Sequence, residues 1–217
     1  PCILYIIQSY LSYIDIKSCS LSEDGRTNSC FDEDNIIDIL IKKFPDRIKK
    51  PDIRMWYDIL VFDSIIGWIP VNIKTTTTLT NDNTGNFTTC LYAYTNESLD
   101  LKKQYNNGIS TEIIFTKLEN KEYNRNPKRD YYFIVVNKTD TNDIIVNSIK
   151  GLTHLTPNAN NPPFQVCWKK NRFFNYKHIN ENVENFIETI QKTPPSWREK
   201  FFTNMRKLKI YKNSFGI

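Results

Sequence analysis

Histidine and glycine are both scarce in this chain, which has 2 His and 6 Gly in 217 residues. No G-x-x-x-x-G-K-S/T loop is present, so ATP-driven work and a nucleotide cofactor are not expected. His154 and His178 stand in no Asp-His-Ser spacing and beside no cluster of metal ligands, so both read as structural residues. The five cysteines, Cys2, Cys19, Cys30, Cys90 and Cys167, are odd in number and include no C-x-x-C pair, which excludes the usual zinc spacings. Free thiols in a reducing compartment account for them, and the expected location is cytoplasmic. No apolar run reaches the length of a membrane span. The N-terminal run CILYIIQSYLSYI lacks a basic region before it and a small-residue cleavage site after it, so it does not read as a signal peptide.

What is present describes a single α/β domain. A mass of 25.7 kDa, 40% hydrophobic residues and 24% charged residues fit one ordinary globular core spanning 1–217. The net charge of +5 is compatible with a polyanionic partner without identifying one. Basic residues gather at 117–129 and again at 198–212. Either cluster alone reads as a solvated face or loop.

Periodicity divides the chain. Residues 2–15 have a helical apolar pattern, a polar loop follows at 18–28, and Asp32-Glu33-Asp34 opens a second helix to about Phe44. The N-terminal helices therefore occupy 2–45. A strand pair is expected at 55–62 and 69–75, with a Thr/Asn/Asp-rich loop over 75–86. Residues 87–94 are apolar and aromatic, while 98–129 read as a short helix and a long polar excursion. A hairpin with strands at 131–137 and 143–150 turns through Thr139, Asp140, Thr141 and Asn142. A loop over 151–163 and a short strand at 164–168 come next. C-terminal helices at 180–192 and 197–209 complete the 180–210 region. This order implies a mixed central β-sheet flanked by helices.

The segment YDILVFDSIIGWIPVNIKTTTT, residues 57–78, carries the chemistry. Asp58 heads one apolar strand, and after a turn at Gly67 a second strand sets Asn72 and Lys74 on the same face, two residues apart. If the strands are neighbours, Asp58 joins them. Phosphodiester hydrolysis needs a nucleophilic water, neutralisation of phosphorane charge and a stabilised leaving oxygen, which a Mg²⁺ ion with a nearby lysine provides. Mg²⁺ takes hard oxygens and keeps several waters, so Asp58, the Ile73 carbonyl and the Asn72 amide oxygen form a sufficient set. The plainer alternative is the polar outer face of a two-stranded edge.

An Asp followed by a strand, a turn and a (D/E)-x-K triplet is the signature of the PD-(D/E)XK nuclease superfamily, and this segment resembles it. VNIKTTTT followed by YAYT is similar to the DIKTT-type segment of type II restriction endonucleases of the EcoRV-like branch. DYYFIVVNK, DIIVNSIKGL and NPPFQVCW also resemble later strands of such enzymes, so the likeness spans roughly half the chain. The resemblance implies a restriction-endonuclease-like core, with Asp58 as the first metal carboxylate and Lys74 as the catalytic lysine. Asn72 stands where the superfamily usually has an acid. Related nucleases add a helix-borne Glu to the site, which makes Glu33 the candidate to restore the charge. Asp63 is the weaker candidate because, five residues from Asp58, it falls on the opposite strand face.

The resemblance further implies a Mg²⁺-dependent (or Mn²⁺-dependent) type II endonuclease cutting double-stranded DNA at a short palindrome. A two-fold homodimer would place one site on each strand. Thr75, Thr76, Asn81, Asp82, Asn83 and Asn86 are candidate DNA contacts, with Asn158, Asn160, Asn161 and Gln165 as a second set. The same residue types also favour plain turns. The aromatic run 172–176 reads as buried rather than base-stacking. Two alternatives stand beside the restriction reading. One is a structure-selective repair or junction nuclease on the same core, and the other is a DNA-binding protein silenced by Asn72.

Overall fold

The computed structural model describes residues 1–14, 16, 25–52, 54–158 and 161–193. Eight strands and five α-helices follow one another among them. The order is α1 (Cys2–Tyr13), α2 (Gly25–Lys43), β1 (Ile48–Lys49), β2 (Ile59–Asp63), β3 (Gly67–Thr76), β4 (Asn81–Asn83), α3 (Phe87–Tyr94) and α4 (Asn107–Glu119). The remainder are β5 (Tyr132–Asn137), β6 (Asp140–Ser148), β7 (Leu155–Pro157), β8 (Phe164–Cys167) and α5 (Ile179–Gln191).

Five strands form a mixed sheet in the order β1-β2-β3-β5-β6. β2 and β3 pair antiparallel through the turn that Gly67 closes at φ +91°, a conformation that favours glycine. β5 returns parallel to β3 after the α3–α4 excursion, as a crossover connection requires. β6 then pairs antiparallel with β5. All six residues of β5 are buried, which explains the unbroken apolar run from Tyr132 to Val136.

The sheet separates two cores. Alternate residues Ile59, Val61, Ile69, Val71, Ile73, Ile134 and Val136 pack with Ile3, Leu4, Ile7, Leu11, Ile36 and Leu40 of α1 and α2. The opposite alternation, including Phe133, Val135 and Ile145, packs with Leu91, Ile114, Phe115, Val183 and Phe186 of α3, α4 and α5. Each such fully buried side chain contributes about 1.5–3 kcal/mol. Helices on both faces give the mixed, helix-flanked sheet that the sequence implies.

A second sheet, β4-β8-β7, is antiparallel throughout. Trp168 fastens it to the main body: the ring is fully buried, lies 5.3 Å from Phe133, and donates Nε1–H to Asp82 Oδ2 at 3.3 Å.

Several boundaries differ from expectation. α2 begins at Gly25, so Asp32-Glu33-Asp34 lies inside the helix rather than opening it; the polar stretch before it has no apolar period to reveal a helix. The 75–86 segment contains β4. Residues 87–94 are helical because Asn86 caps them with a full capping box, and burial on nearly every side erases the amphipathic period. The hairpin turns at Lys138-Thr139, with Asn137 opposite Asp140, so β6 begins three residues before the expected 143. β1 and β7 were too short to announce themselves. Asn160, the 197–209 helix and the 198–212 basic cluster lie outside the described residues.

Candidate functional site

The β2–β3 ladder stops before β3 does. Its last pair is Ile59 with Val71, after which Asp58 N–H donates to Val71 C=O at 3.1 Å. β3 continues to Thr76 with β5 on one side only. Backbone groups of a strand alternate sides, and Thr76 C=O accepts from Lys138 N–H on the β5 side. Ile73 and Thr75 therefore turn their N–H and C=O groups toward the open edge.

Two carboxylates take the place of the missing strand. Asp58 Oδ2 accepts the Ile73 N–H at 2.8 Å, and Glu33 Oε1 accepts the Thr75 N–H at 3.1 Å. The Ile73 carbonyl lies on this same edge, between the two donors that hold the acids. Lys74, half-buried, sits between Ile73 and Thr75 and acts electrostatically on both carboxyls. Among the described residues it makes no ion pair within 4 Å. β3 is the third of five strands, so the residues do not lie on the face of a two-stranded edge.

Asn72 shares the face of Lys74 and donates Nδ2–H to Asp58 Oδ2 at 2.5 Å. Its Oδ1 is buried and has no hydrogen-bond partner. A lone buried amide oxygen costs about 1–3 kcal/mol, and the Tyr131 hydroxyl lies against the same amide. An aromatic floor lies nearby: Tyr131 donates its O–H to the Trp56 carbonyl at 3.0 Å, and the two rings stack at 5.9 Å. Tyr131 also senses the charge of Asp58. Sequence reasoning missed Trp56 and Tyr131, whose only signal was their place beside the two strands.

Burial governs the acids. It pushes the Asp58 carboxyl up to about 6, against the Ile73 N–H and the Lys74 charge, which both favour the anion. Burial likewise pushes Glu33 up to about 7, opposed by Lys74 and the Thr75 N–H and reinforced by the charges of Asp58 and Asp82. Both acids therefore hold their protons more tightly than free carboxyls, and a cation arriving between them would displace those protons.

Hard oxygen donors line this edge: two carboxylates and the Ile73 carbonyl, with the Asn72 amide beside Asp58. That set suits a divalent ion that retains waters. Among the described residues, no group of three or more His, Cys, Asp and Glu is placed to hold a metal by itself. The fit thus depends on the amide and carbonyl oxygens completing the two acids.

Asp63 is elsewhere. It lies at the far end of β2, 1% exposed, and accepts the N–H groups of Ile3, Ile65 and Ile66 at 3.2, 3.0 and 3.1 Å. Those donors hold its carboxyl below the usual range despite burial. It anchors the β2–β3 turn to the start of α1.

The two sets of candidate DNA contacts meet on the second sheet. Asn81 and Asn83 are exposed on β4, and Asn83 Oδ1 accepts from Asn158 Nδ2 at 2.8 Å and from Gln165 Nε2 at 3.1 Å. Asn161 N–H donates to Asn158 Oδ1 at 3.0 Å. Asp82 points the other way, to Trp168, and Asn86 is occupied as the cap of α3. Thr75 is buried beside Glu33, and Thr76 is half-buried at the end of β3. His154 and His178 stay outside the site: His154 bonds Thr153, and His178 caps α5.

Comparison with models of known protein families, with curated proteins and with solved structures gives no match. Among the described residues, no helix is long and apolar enough to cross a membrane.

Proposed function

We propose that this chain is a divalent-metal-dependent endonuclease acting on double-stranded DNA, of the type II restriction class that its strand motif resembles. One observation carries the reading: Asp58 and Glu33 hold the N–H groups of Ile73 and Thr75 on one open strand edge, with Lys74 between them. The sheet supports it as well. An antiparallel pair bears the motif, and a helical crossover leads to a parallel neighbour, an arrangement compatible with a restriction-endonuclease-like core.

In this mechanism Asp58, Glu33, Ile73 C=O and Asn72 Oδ1 would hold a Mg²⁺ or Mn²⁺ ion. When bound, that ion supplies positive charge to phosphoryl oxygens and acidifies a water. Lys74 would contribute a fixed cation beside the attacking water and offset the charge that builds on the phosphoryl oxygens. The edge bonds to Ile73 and Thr75 fix both carboxylates before substrate arrives, so little reorganisation is needed at reaction. Asn81, Asn83 and Gln165, exposed or half-buried on the second sheet, present amides suited to base edges and phosphates. A two-fold homodimer would bring two such sites to a palindrome.

The amide at Asn72 favours one other reading, a site too weakly charged to hold its metal and used only to bind DNA. Lys74→Ala separates the two. A nuclease loses cleavage by this change and keeps its DNA affinity, whereas a silent binder has no cleavage to lose.

A further inference from the structure

The second sheet has one packed face and one open face. Asp82, Val166 and Leu155 pair across β4, β8 and β7, and this row turns inward: Val166 is fully buried, Leu155 packs against the core and Asp82 bonds Trp168. The neighbouring row, Asn83, Gln165 and Thr156, alternates to the opposite face and is exposed or half-buried. This sheet stands close to the acidic edge. β3 ends at Thr76 and β4 starts at Asn81, and the charge of Asp82 is felt at Glu33.

Backbone groups set the direction of each amide on this face. Asn158 Oδ1 accepts the Asn161 N–H at 3.0 Å, so its Nδ2 is the donor end. That nitrogen gives its protons to Asn161 C=O and to Asn83 Oδ1, the latter at 2.8 Å. Asn83 Oδ1 also accepts Gln165 Nε2–H at 3.1 Å, which uses both of its lone pairs. Turning any one of the three amides around would set two donors or two acceptors against each other. The other halves of the Asn83 and Gln165 amides remain: Asn83 Nδ2, a donor, and Gln165 Oε1, an acceptor.

A donor beside an acceptor is the complement of one base in particular. Adenine shows N7, an acceptor, next to its N6 amino donor in the major groove, whereas guanine shows two acceptors and each pyrimidine a single polar group. The three strands also contain no Arg or Lys, the residues that pair most often with guanine.

We propose that the second sheet reads an adenine in the major groove of double-stranded DNA, with Asn83 Nδ2–H donating to N7 and Gln165 Oε1 accepting from the N6 amino group. Asn158 is a positioning residue that acts through Asn83. The proposal rests on the DNA-binding part of the proposed function and not on cleavage.

The test selects duplexes that the full chain binds from a pool with a randomised core, in Ca²⁺ so that binding is read without cutting. The expected consensus holds at least one invariant A·T pair. A duplex of that sequence is then made with the adenine replaced by 7-deazaadenine, which lacks the N7 acceptor, or by purine, which lacks the amino group. Each replacement should weaken binding roughly tenfold. Asn83→Ala should be indifferent to the loss of N7 while still sensing the loss of the amino group, and Gln165→Met should show the reverse. A folding defect would lower affinity for every duplex alike and could not produce that exchange. A consensus of G·C pairs alone, binding without sequence preference, analogues bound as well as adenine, or penalties that both variants retain in full overturns the proposal. Any of these results with discrete plasmid fragments leaves the nuclease reading standing, and adenine readout with uncut plasmid removes the nuclease reading alone.

Discussion

Glu33 reaches across 42 positions of sequence to accept the backbone N–H of Thr75 at 3.1 Å. The contact does for β3 what a neighbouring strand would do, and it places a second carboxylate next to the one that Asp58 supplies. A purely structural edge could have been closed by a main-chain carbonyl at no charge cost. Burying two acids there, both with raised proton affinity, makes sense where a cation is to be received.

Glu33 and Asp63 can be told apart by the kind of damage their loss causes. Glu33→Gln keeps the shape of the side chain and removes its charge. Cleavage should fall at least tenfold and the concentration of Mg²⁺ for half-maximal rate should rise. Asp63→Asn, which disturbs three buried N–H contacts, should lose about 1–3 kcal/mol of stability in a urea titration. A Glu33→Gln enzyme with wild-type metal dependence would remove Glu33 from the site.

Asn72→Asp places a charge 14 residues along from Asp58 but within bonding distance of it, since the present contact is 2.5 Å. The metal-free variant should melt lower than the wild type because two acids then face each other with one hydrogen bond lost. Mg²⁺ should raise its melting temperature more than it raises that of the wild type, through tighter binding to the folded state. Equal shifts in thermal melting would show that position 72 does not face the ion.

Much of this site was legible in the sequence because it sits on strands. The two-residue period fixes Asn72 and Lys74 to one face, and the Gly67 turn brings Asp58 alongside them. Glu33 was reached only by resemblance, since nothing local to α2 announces which helical residue will meet a strand edge. The open edge itself was not legible: it depends on β2 starting one residue after Asp58, a boundary that tertiary register sets. Asp82, Asn83 and Asn158 looked like loop residues because turn formers and very short strands share a composition, whereas Gln165 fell on the strand expected at 164–168. Their convergence on a second sheet required Trp168, whose buried ring and bond to Asp82 no pattern predicts.

Asp130 offers a check on the electrostatics away from the site. It is 1% exposed, its Oδ2 has no partner, and burial pushes its carboxyl up to about 6 from the ordinary 3.8, although Lys150 and Ser148 oppose the shift. The folded state therefore holds this proton more tightly than the unfolded chain. Its contribution to stability is full below about pH 4, is lost as pH rises to about 6, and is constant above. The loss is on the order of 3 kcal/mol. Asp130→Asn lacks this titration, so its stability relative to the wild type should increase by that order between pH 4 and pH 7. A difference independent of pH, measured by urea unfolding at both values, would contradict the buried, tightly protonated carboxyl.

Lys74→Ala should reduce cleavage by about a hundredfold or more, the scale on which a single preorganised charge-stabilising group acts. Affinity for duplex DNA, followed by gel shift in Ca²⁺ or without metal, should stay near the wild-type value because one cation is a small part of a DNA interface. A parallel collapse of both would make Lys74 a DNA-contact residue.

The most direct measurement is to incubate the wild-type chain with a sequenced plasmid in Mg²⁺, then in Mn²⁺, and to map every new end. The proposed metal-dependent nuclease predicts discrete fragments whose ends share one short palindrome and which disappear with Asp58→Asn. DNA left intact in both metals, alongside a clear gel shift, would contradict it and leave the Asp58–Glu33 edge as a binding surface without chemistry.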